Sequence, residues 1–260
     1  MAELNMKIEL VTWNILAQRY IHNDLVFEWS DRLSIILRNI EGLNPDVLCL
    51  QEVELSTAVD DFGSLFDLYN YSIHQINKKR NSPIGNMTLW KKDTFKLEGE
   101  TPLYNSSGVH TILEHIMSSR KVWISNIHLR AGLRTKEKER MNQLKSTFKL
   151  IKDDIPCCIV GDFNDDLDQE RKRLFDPQSN LHKLIIDNGL VCNISPDTFY
   201  VVSTGGVPSF DNEEWSGSFF RFDHIVTSQS IKVNCDEEQR ILEPIPNKSF
   251  PSDHYFVSIH

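Results

Sequence analysis

The sequence predicts an α/β protein in which two β-sheets pack against each other and helices cover the outside. Two observations predict this fold class. Short apolar, strand-like runs outnumber the helical segments, and the helices occur singly between the strands. Single helices between strands are typical of layered α/β folds, in which each helix covers a sheet. No repeat or linker divides the chain, so residues 1–260 are expected to form one domain.

The predicted elements follow from the spacing of apolar residues. In segment 28–43, Leu33, Ile36 and Ile40 recur at helical spacing, and Asn44-Pro45 ends the helix. Two further helices are predicted, over 135–151 and 181–187. Short apolar runs predict the strands, which are 8–13, 46–51, 71–76, 87–90, 110–116, 122–127, 155–160, 220–228 and 254–259.

Composition limits the class of protein. No apolar run approaches the roughly 20 residues that span a bilayer, and the first residues lack the apolar segment of a signal peptide. The five cysteines are odd in number and mostly lie in apolar runs, which favours free thiols over a disulfide framework. A cytoplasmic protein without a membrane partner is therefore expected.

The net charge of −9 argues against binding nucleic acid through bulk electrostatics. An enzyme that holds only the end of a nucleic acid through a small basic surface remains compatible with this charge. Arg130 and Arg134 are the candidates for such a surface, because they directly follow the predicted strand that leads to His128. Arginines placed there can meet backbone phosphates.

Six short polar motifs end or open predicted strands. A carboxylate, amide or imidazole at the end of a buried strand has a desolvation cost to offset. When this occurs six times in one chain, a shared metal and phosphate site explains the pattern. The motifs are Thr12-Trp13-Asn14, Leu50-Gln51-Glu52, Asn126-Ile127-His128, Gly161-Asp162-Phe163-Asn164, Phe222-Asp223-His224 and Ser252-Asp253-His254.

Each motif offers a specific chemistry. Glu52 is the first-choice ligand for a hard cation such as Mg²⁺, which takes one or two protein carboxylates together with water and phosphate; the alternative is a solvated strand end. Gly161 permits a tight turn, after which Asp162 and Asn164 can orient a water molecule and a phosphate oxygen. An Asx-turn without catalytic function is the alternative for this second motif.

The last motif requires a partner for its histidine. An imidazole that donates to a phosphoryl oxygen works best when a carboxylate fixes its tautomer and supports its charge. Asp253 is not expected to serve His254, because adjacent strand residues point to opposite faces. Asp223 is the predicted partner.

Taken in order, the six motifs resemble those of the endonuclease/exonuclease/phosphatase superfamily over residues 9–259. The flanking segments Trp13 to Gln18, Trp29-x-x-Arg32 and Pro45 to Val53 are similar to the deadenylase branch. That branch contains the carbon-catabolite-repressor-type deadenylases, nocturnin and the Angel proteins, and Ile245-Pro246-Asn247 is most similar to Angel. The resemblance implies a four-layer α/β/β/α sandwich with two mainly antiparallel sheets.

The resemblance also implies a role for each motif residue. Glu52 would be the Mg²⁺ ligand (Mn²⁺ could replace Mg²⁺), with Asn14 and Asp253 nearby in the metal shell. Asp162 would orient or deprotonate the attacking water, and Asn164 would hold the scissile phosphate. The remaining assignments are transition-state stabilisation by His128 and His254 and orientation of His254 by Asp223. At Ile84-Gly85-Asn86-Met87 the chain departs from the Asp-Gly-Cys-Ala that is usual in the branch, and Asn86 is expected to reach a phosphate there.

The resulting functional prediction is a Mg²⁺-dependent phosphoesterase that acts at RNA 3′ ends. Two activities fit the same residues, a 3′-to-5′ exoribonuclease and a 2′,3′-cyclic phosphatase. The alternatives are a phosphatase of a small nucleotide or other phosphoester, and a non-catalytic RNA-binding module on the same scaffold. The expected partner is an RNA 3′ end or a nucleotide phosphoester, and the sequence does not identify a protein partner.

Overall fold

The computed structural model describes residues 6–21, 28–76, 82–103, 107–152, 154–165, 167, 180–193, 222–233, 251–254 and 256–259. The described helices are α1 (Trp29–Leu43), α2 (Ala58–Asp61), α3 (Leu133–Phe148) and α4 (Leu181–Asp187), with short 3₁₀ turns at Gln18–Tyr20 and Gly63–Asp67. None of these helices is long and apolar enough to cross a membrane. The motif 245–247 lies outside the described residues.

The described strands form two sheets. The first has the order β11-β1-β2-β4-β3 and the second β5-β6-β7-β8-β10-β9. The pairs β1–β2 and β7–β8 are parallel and the other pairs are antiparallel, so both sheets are mixed and mainly antiparallel, as predicted. The strands are β1 (Leu10–Asn14), β2 (Val47–Glu54), β3 (Tyr69–Gln75), β4 (Ile84–Lys91), β5 (Phe95–Pro102), β6 (Gly108–His115), β7 (Lys121–His128), β8 (Cys157–Asp162), β9 (Leu190–Asn193), β10 (Asp223–Ser228) and β11 (Val257–Ile259).

Three apolar clusters hold the layers together. Ile36 and Ile40 of α1 pack on the outer face of the first sheet. Leu144 of α3 and Ile185 of α4 pack on the outer face of the second sheet. A third cluster, which includes Val160, joins the inner faces of the two sheets. The layers are therefore helix, sheet, sheet and helix, which confirms the predicted sandwich.

The sequence missed two strands, and both lie at an edge of the second sheet. In β5 most side chains are exposed, and in β9 only Leu190 is fully buried. Edge strands with one or two solvated faces lack the continuous apolar run that predicts a central strand. The last predicted strand also begins too early, because residues 252–254 form a bend and β11 starts at Val257.

Candidate active site

The carboxyl ends of four strands, two from each sheet, meet at one end of the sandwich. Asn14 of β1 joins the two sheets directly, because its Nδ2 donates to Glu52 Oε1 at 3.2 Å and to Asp162 Oδ2 at 3.1 Å. His128 Nε2 lies 3.5 Å from Asp162 Oδ2 and 4.0 Å from Glu52 Oε1. The structure thus brings together four side chains that the sequence placed on four separate strands.

Glu52 has a strained backbone. Its φ is +61°, a left-handed value that is uncommon for a residue with a side chain. The strain coincides with an irregularity in the pairing of β2 with β4 between Leu50 and Val53. Bulges of this kind redirect a side chain and are frequent beside active sites. The carboxylate is held by the N–H of Ala17, which donates to Oε2 at 3.0 Å.

The motif around Asp162 forms a tight turn that is fixed on both sides. Asp162 Oδ1 accepts the backbone N–H of Asn164 at 2.7 Å, and Asn164 Nδ2 donates to the Leu129 carbonyl at 3.1 Å. Burial raises the pKa of Asp162, and the neighbouring His128 lowers it. The turn is an Asx-turn, which the sequence allowed as the non-catalytic alternative for this motif. The turn also holds the second carboxylate oxygen of Asp162, Oδ2, toward Asn14 and His128. One carboxylate therefore serves both the turn and the site.

His254 is held by Asp223. Its ring Nδ1 lies 2.5 Å from Asp223 Oδ2, the pairing that the sequence predicted. Burial opposes a charge on the ring, but the surrounding carboxylates, with Asp223 the strongest, raise the pKa of His254 well above its usual 6.5. The backbone is fixed as well, because Trp13 Nε1 donates to the His254 carbonyl at 2.9 Å. The ring therefore has a defined orientation, and its carboxylate neighbours favour the charged form.

Asp253 lies closer to His254 than a strand would allow. The bend at residues 252–254 places Asp253 Oδ1 3.8 Å from His254 Nε2, which corrects the expectation that the two side chains point apart. Oδ1 is buried without a hydrogen-bond donor among the described residues. Burial, together with the nearby Glu52 carboxylate, raises the pKa of Asp253 to about 6.

These side chains fit a hard cation. Glu52 and Asp253 both offer carboxylate oxygens, Glu52 lies close enough to disfavour the charge of Asp253, and one Asp253 oxygen accepts no hydrogen bond from the described residues. Three or more His, Cys, Asp or Glu side chains in ligand geometry are not found among the described residues. Mg²⁺ suits such a site, because it keeps several waters and takes one or two protein carboxylates plus substrate phosphate. Asn14, Glu52 and Asp253 are the residues that would hold it.

Arg32 is a residue of this site that the sequence reasoning did not assign a role. Its Nη2 donates to the carbonyls of Ile15 and Leu16 at 2.6 Å each, and its Nε donates to the Pro251 carbonyl at 2.6 Å. Burial lowers the pKa of Arg32 to about 10, against the opposing effect of Asp253. The signal in the sequence was a charged residue on the apolar face of a helix, three positions after Trp29.

A buried amide pair connects the two sheets beneath the site. Gln51 Nε2 donates to Asn126 Oδ1 at 2.9 Å, and Asn126 Nδ2 donates to the Met87 carbonyl at 3.0 Å. These two motif residues therefore belong to the scaffold. Asn86 lies in the same layer, fully buried, where its Nδ2 donates to the Asn126 carbonyl at 3.1 Å. Contact of Asn86 with a phosphate stays a prediction.

The two candidate phosphate-binding arginines follow β7 as expected. The Arg130 side chain is 29% exposed, and its Nε lies 3.7 Å from Glu139 Oε2. Arg134 lies in the first turn of α3, and its side chain is outside the described part of the structure. His224, which had no assigned role, is buried with Nε2 2.9 Å from the Asp165 carbonyl. It therefore supports the loop that follows Asn164.

Comparisons with known proteins identify the family of the chain. The model of the Endonuclease/Exonuclease/phosphatase family matches residues 11–254. Nocturnin of Xenopus laevis is 27% identical over 94% of this chain, which spans 70% of that protein and 63% of human nocturnin. The CCR4-Not complex 3′-5′-exoribonuclease subunit Ccr4 of Kluyveromyces lactis is 25% identical over 96% of the chain, which spans 40% of its length.

Solved structures show the same fold. ANGEL2, described as a 2′,3′-cyclic phosphatase, superposes with a TM-score of 0.69 at 19% identity, covering 97% of this chain and 94% of the other. The match to the family model extends from β1 to His254 and therefore includes all six polar motifs. The chain belongs to the endonuclease/exonuclease/phosphatase family of phosphoesterases and is related to the nocturnins and to Ccr4.

Proposed function

We propose that the chain is a Mg²⁺-dependent phosphoesterase that acts at RNA 3′ ends, as a 3′-to-5′ exoribonuclease or as a 2′,3′-cyclic phosphatase. The observation that carries the proposal is the meeting of the buried Asp223–His254 pair with Asn14, Glu52 and Asp162 at the joined ends of both sheets. The names of two similar proteins support the two activities, since Ccr4 is called a 3′-5′ exoribonuclease and ANGEL2 a 2′,3′-cyclic phosphatase.

Both activities require the same steps from this chain. A water molecule must be oriented and relieved of a proton, and negative charge on the phosphoryl oxygens must be stabilised as the P–O bond breaks. The raised pKa of Asp162 makes its carboxylate a stronger base for that proton. Asn164, at the edge of the same turn, is proposed to donate a hydrogen bond to the scissile phosphate.

The two histidines supply hydrogen-bond donors from different directions. His254, fixed by Asp223, is a cation that can donate from Nε2 to a phosphoryl oxygen. His128 presents Nε2 toward Asp162 and Glu52 from the second sheet. A bound Mg²⁺ would add a Lewis acid that polarises the phosphoryl group.

The acidic character of the chain favours a substrate that is gripped at its end. With a net charge of −9, long-range attraction of a polyanion is weak. Near the site, Arg130 already faces Glu139, so its charge is partly compensated. A few contacts with terminal nucleotides suit this surface better than an extended track, and a small nucleotide or another phosphoester is the second candidate substrate.

Product analysis on matched RNAs tests the proposal. Three RNAs with one sequence and one 5′ label would end in 3′-hydroxyl adenosines, a 3′-phosphate or a 2′,3′-cyclic phosphate, each incubated with Mg²⁺ or with chelator. A ladder of products shortened by single nucleotides supports the exoribonuclease. A change in terminal charge without shortening supports the cyclic phosphatase.

Two other outcomes of the same experiment would reject the proposal. Turnover of free nucleotides with none of the three RNAs would favour the small-molecule phosphatase. Binding of the RNAs without turnover of any substrate would favour a non-catalytic module. His254→Ala serves as the matched control for contaminating nucleases, because loss of the imidazole that Asp223 orients should remove all turnover that belongs to this site.

A further inference from the structure

Two arginines are buried completely, and each comes from a different helical layer. Arg32 lies in α1 and Arg140 in α3, with 1% and 0% of their surface exposed. A guanidinium removed from water must place its N–H donors on protein acceptors, because an unpaired buried charge is costly. The acceptors that these two arginines use therefore indicate what each side chain holds in place.

Arg32 connects two segments that flank neighbouring strands of the first sheet. It donates to the carbonyls of Ile15 and Leu16, just after β1, and to the carbonyl of Pro251, just before the bend that carries Asp253. β1 and β11 are hydrogen-bonded neighbours. The side chain therefore fixes the distance between the loop beside Asn14 and the segment of Asp253.

Arg140 lies between two loops of the second sheet. Its Nη1 donates to the carbonyls of Arg130 at 3.2 Å and Gly132 at 3.0 Å, in the loop after β7. Its Nε lies 4.0 Å from Asp165 Oδ2, in the turn after β8. β7 and β8 are also hydrogen-bonded neighbours. The side chain therefore connects the loop beyond His128 with the turn that follows Asp162.

We propose that Arg32 and Arg140 are a pair of positioning residues, one for each sheet, and that each fixes the loops that carry its own half of the site. Arg32 sets the half that carries Asn14 and Asp253, where a metal would bind. Arg140 sets the half that carries His128 and Asp162. The catalytic part of this inference rests on the proposed phosphoesterase activity, while the metal-binding part does not.

Lysine substitutions distinguish positioning from simple stability. A lysine keeps the charge but cannot reach two or three carbonyls with a planar fork of donors. Arg32→Lys should raise the dissociation constant for Mn²⁺, measured by calorimetry without substrate, by about 10- to 100-fold. Arg140→Lys should leave that constant unchanged and lower kcat by about 100-fold, with a smaller change in KM.

Two exposed cations on the same helices are the controls. Arg38→Lys on α1 and Lys145→Arg on α3 should change neither the Mn²⁺ dissociation constant nor kcat. Thermal unfolding of all four variants shows whether each is folded. If Arg32→Lys does not fold, Arg32→Ala is assayed with and without added guanidinium, and recovery of Mn²⁺ affinity supports positioning.

The inference is overturned if the folded Arg32 variants bind Mn²⁺ like the wild type in the absence of guanidinium. It is equally overturned if Arg140→Lys loses only thermal stability and keeps its kcat. If no RNA or nucleotide is turned over by the wild type, the proposed function fails. The Mn²⁺ measurements then still decide the role of Arg32, so that the two failures can be told apart.

Discussion

The 2.5 Å contact between His254 Nδ1 and Asp223 Oδ2 joins the two sheets at the candidate site. Asp223 is the first residue of β10 in the second sheet, and His254 lies in the bend just before β11 of the first sheet. A carboxylate in this position holds the ring and supports its positive charge. The two residues are therefore expected to act as one unit.

Asp223→Asn and His254→Ala should each lower kcat by about 100-fold or more, the usual contribution of a positioned acid or base. The double variant should be hardly worse than either single variant, because groups that act as a unit are not additive. Steady-state kinetics of the four proteins measures this directly. Losses that multiply in the double variant would show that the two residues act independently.

The left-handed backbone of Glu52 predicts that two substitutions will have the same effect on activity and different effects on stability. Glu52→Gly removes the strain of a φ of +61°, whereas Glu52→Gln keeps it. Both variants lack the carboxylate, so both should lose metal-dependent activity. In urea unfolding with chelator, Glu52→Gly should be more stable than Glu52→Gln by about 1 kcal/mol. Equal stabilities would show that this backbone conformation stores no strain.

The raised pKa of Asp253 predicts that the metal-free protein becomes less stable as the pH rises. Burial raises this pKa to about 6 in the folded protein, from 3.8 in the unfolded chain. The folded protein therefore holds the proton of Asp253 more tightly than the unfolded chain does. The contribution of this proton to stability is complete below pH 3.8 and is lost as the pH rises through about 6. In chelator at pH 7.5, Asp253→Asn should therefore be more stable than the wild type, by up to about 3 kcal/mol.

Lowering the pH or adding metal should remove this advantage. At pH 4 the Asp253 carboxyl is largely protonated in the folded wild type, so the two proteins should have similar free energies of unfolding. Added Mg²⁺ should stabilise the wild type more than Asp253→Asn, since a ligand that binds only the folded state raises its stability. An Asp253→Asn protein that is less stable in chelator at pH 7.5 would contradict this account of the carboxylate.

Much of the site could be predicted because its residues end strands that are visible as apolar runs. Asn14, Glu52, His128 and Asp162 lie together for this reason, and the partner of His254 followed from its chemistry. The spacing of apolar residues and the position of polar ones are local features, so a single sequence is enough to reveal them. The resemblance to the family then supplied the four-layer arrangement.

The rest depends on tertiary contacts that a sequence does not display. The left-handed conformation of Glu52 arises where β2 and β4 fall out of register. The burial of Arg32 is visible only once the carbonyls of three distant residues surround it. The expected strand starts later than predicted, because residues 252–254 form a bend in which Ser252 Oγ donates to the Asn14 carbonyl at 2.6 Å and accepts the His254 N–H at 3.1 Å.

The close packing of the parallel strands β7 and β8 at Gly161 predicts that a larger residue at this position destabilises the protein. The φ of Gly161 is +130°, and a Cβ at this position would overlap the carbonyl oxygen of Ile127. Gly161→Ala should lower the free energy of unfolding by more than about 2 kcal/mol. Gly42→Ala in α1, where a Cβ meets nothing within 4 Å, should instead raise it by about 0.5–1 kcal/mol. Thermal or urea unfolding compares the two, and a neutral Gly161→Ala would contradict the observed packing.

The central claim is that one site, built from both sheets and completed by a divalent cation, performs phosphoester hydrolysis. It is tested most directly by initial rates on the preferred 3′-end substrate across a Mg²⁺ titration, for the wild type and Glu52→Gln. The wild type should be inactive in chelator and should saturate with Mg²⁺, while Glu52→Gln, folded by thermal unfolding, should show no activity above background. Full turnover of Glu52→Gln in Mg²⁺, or of the wild type in excess chelator, would contradict the account.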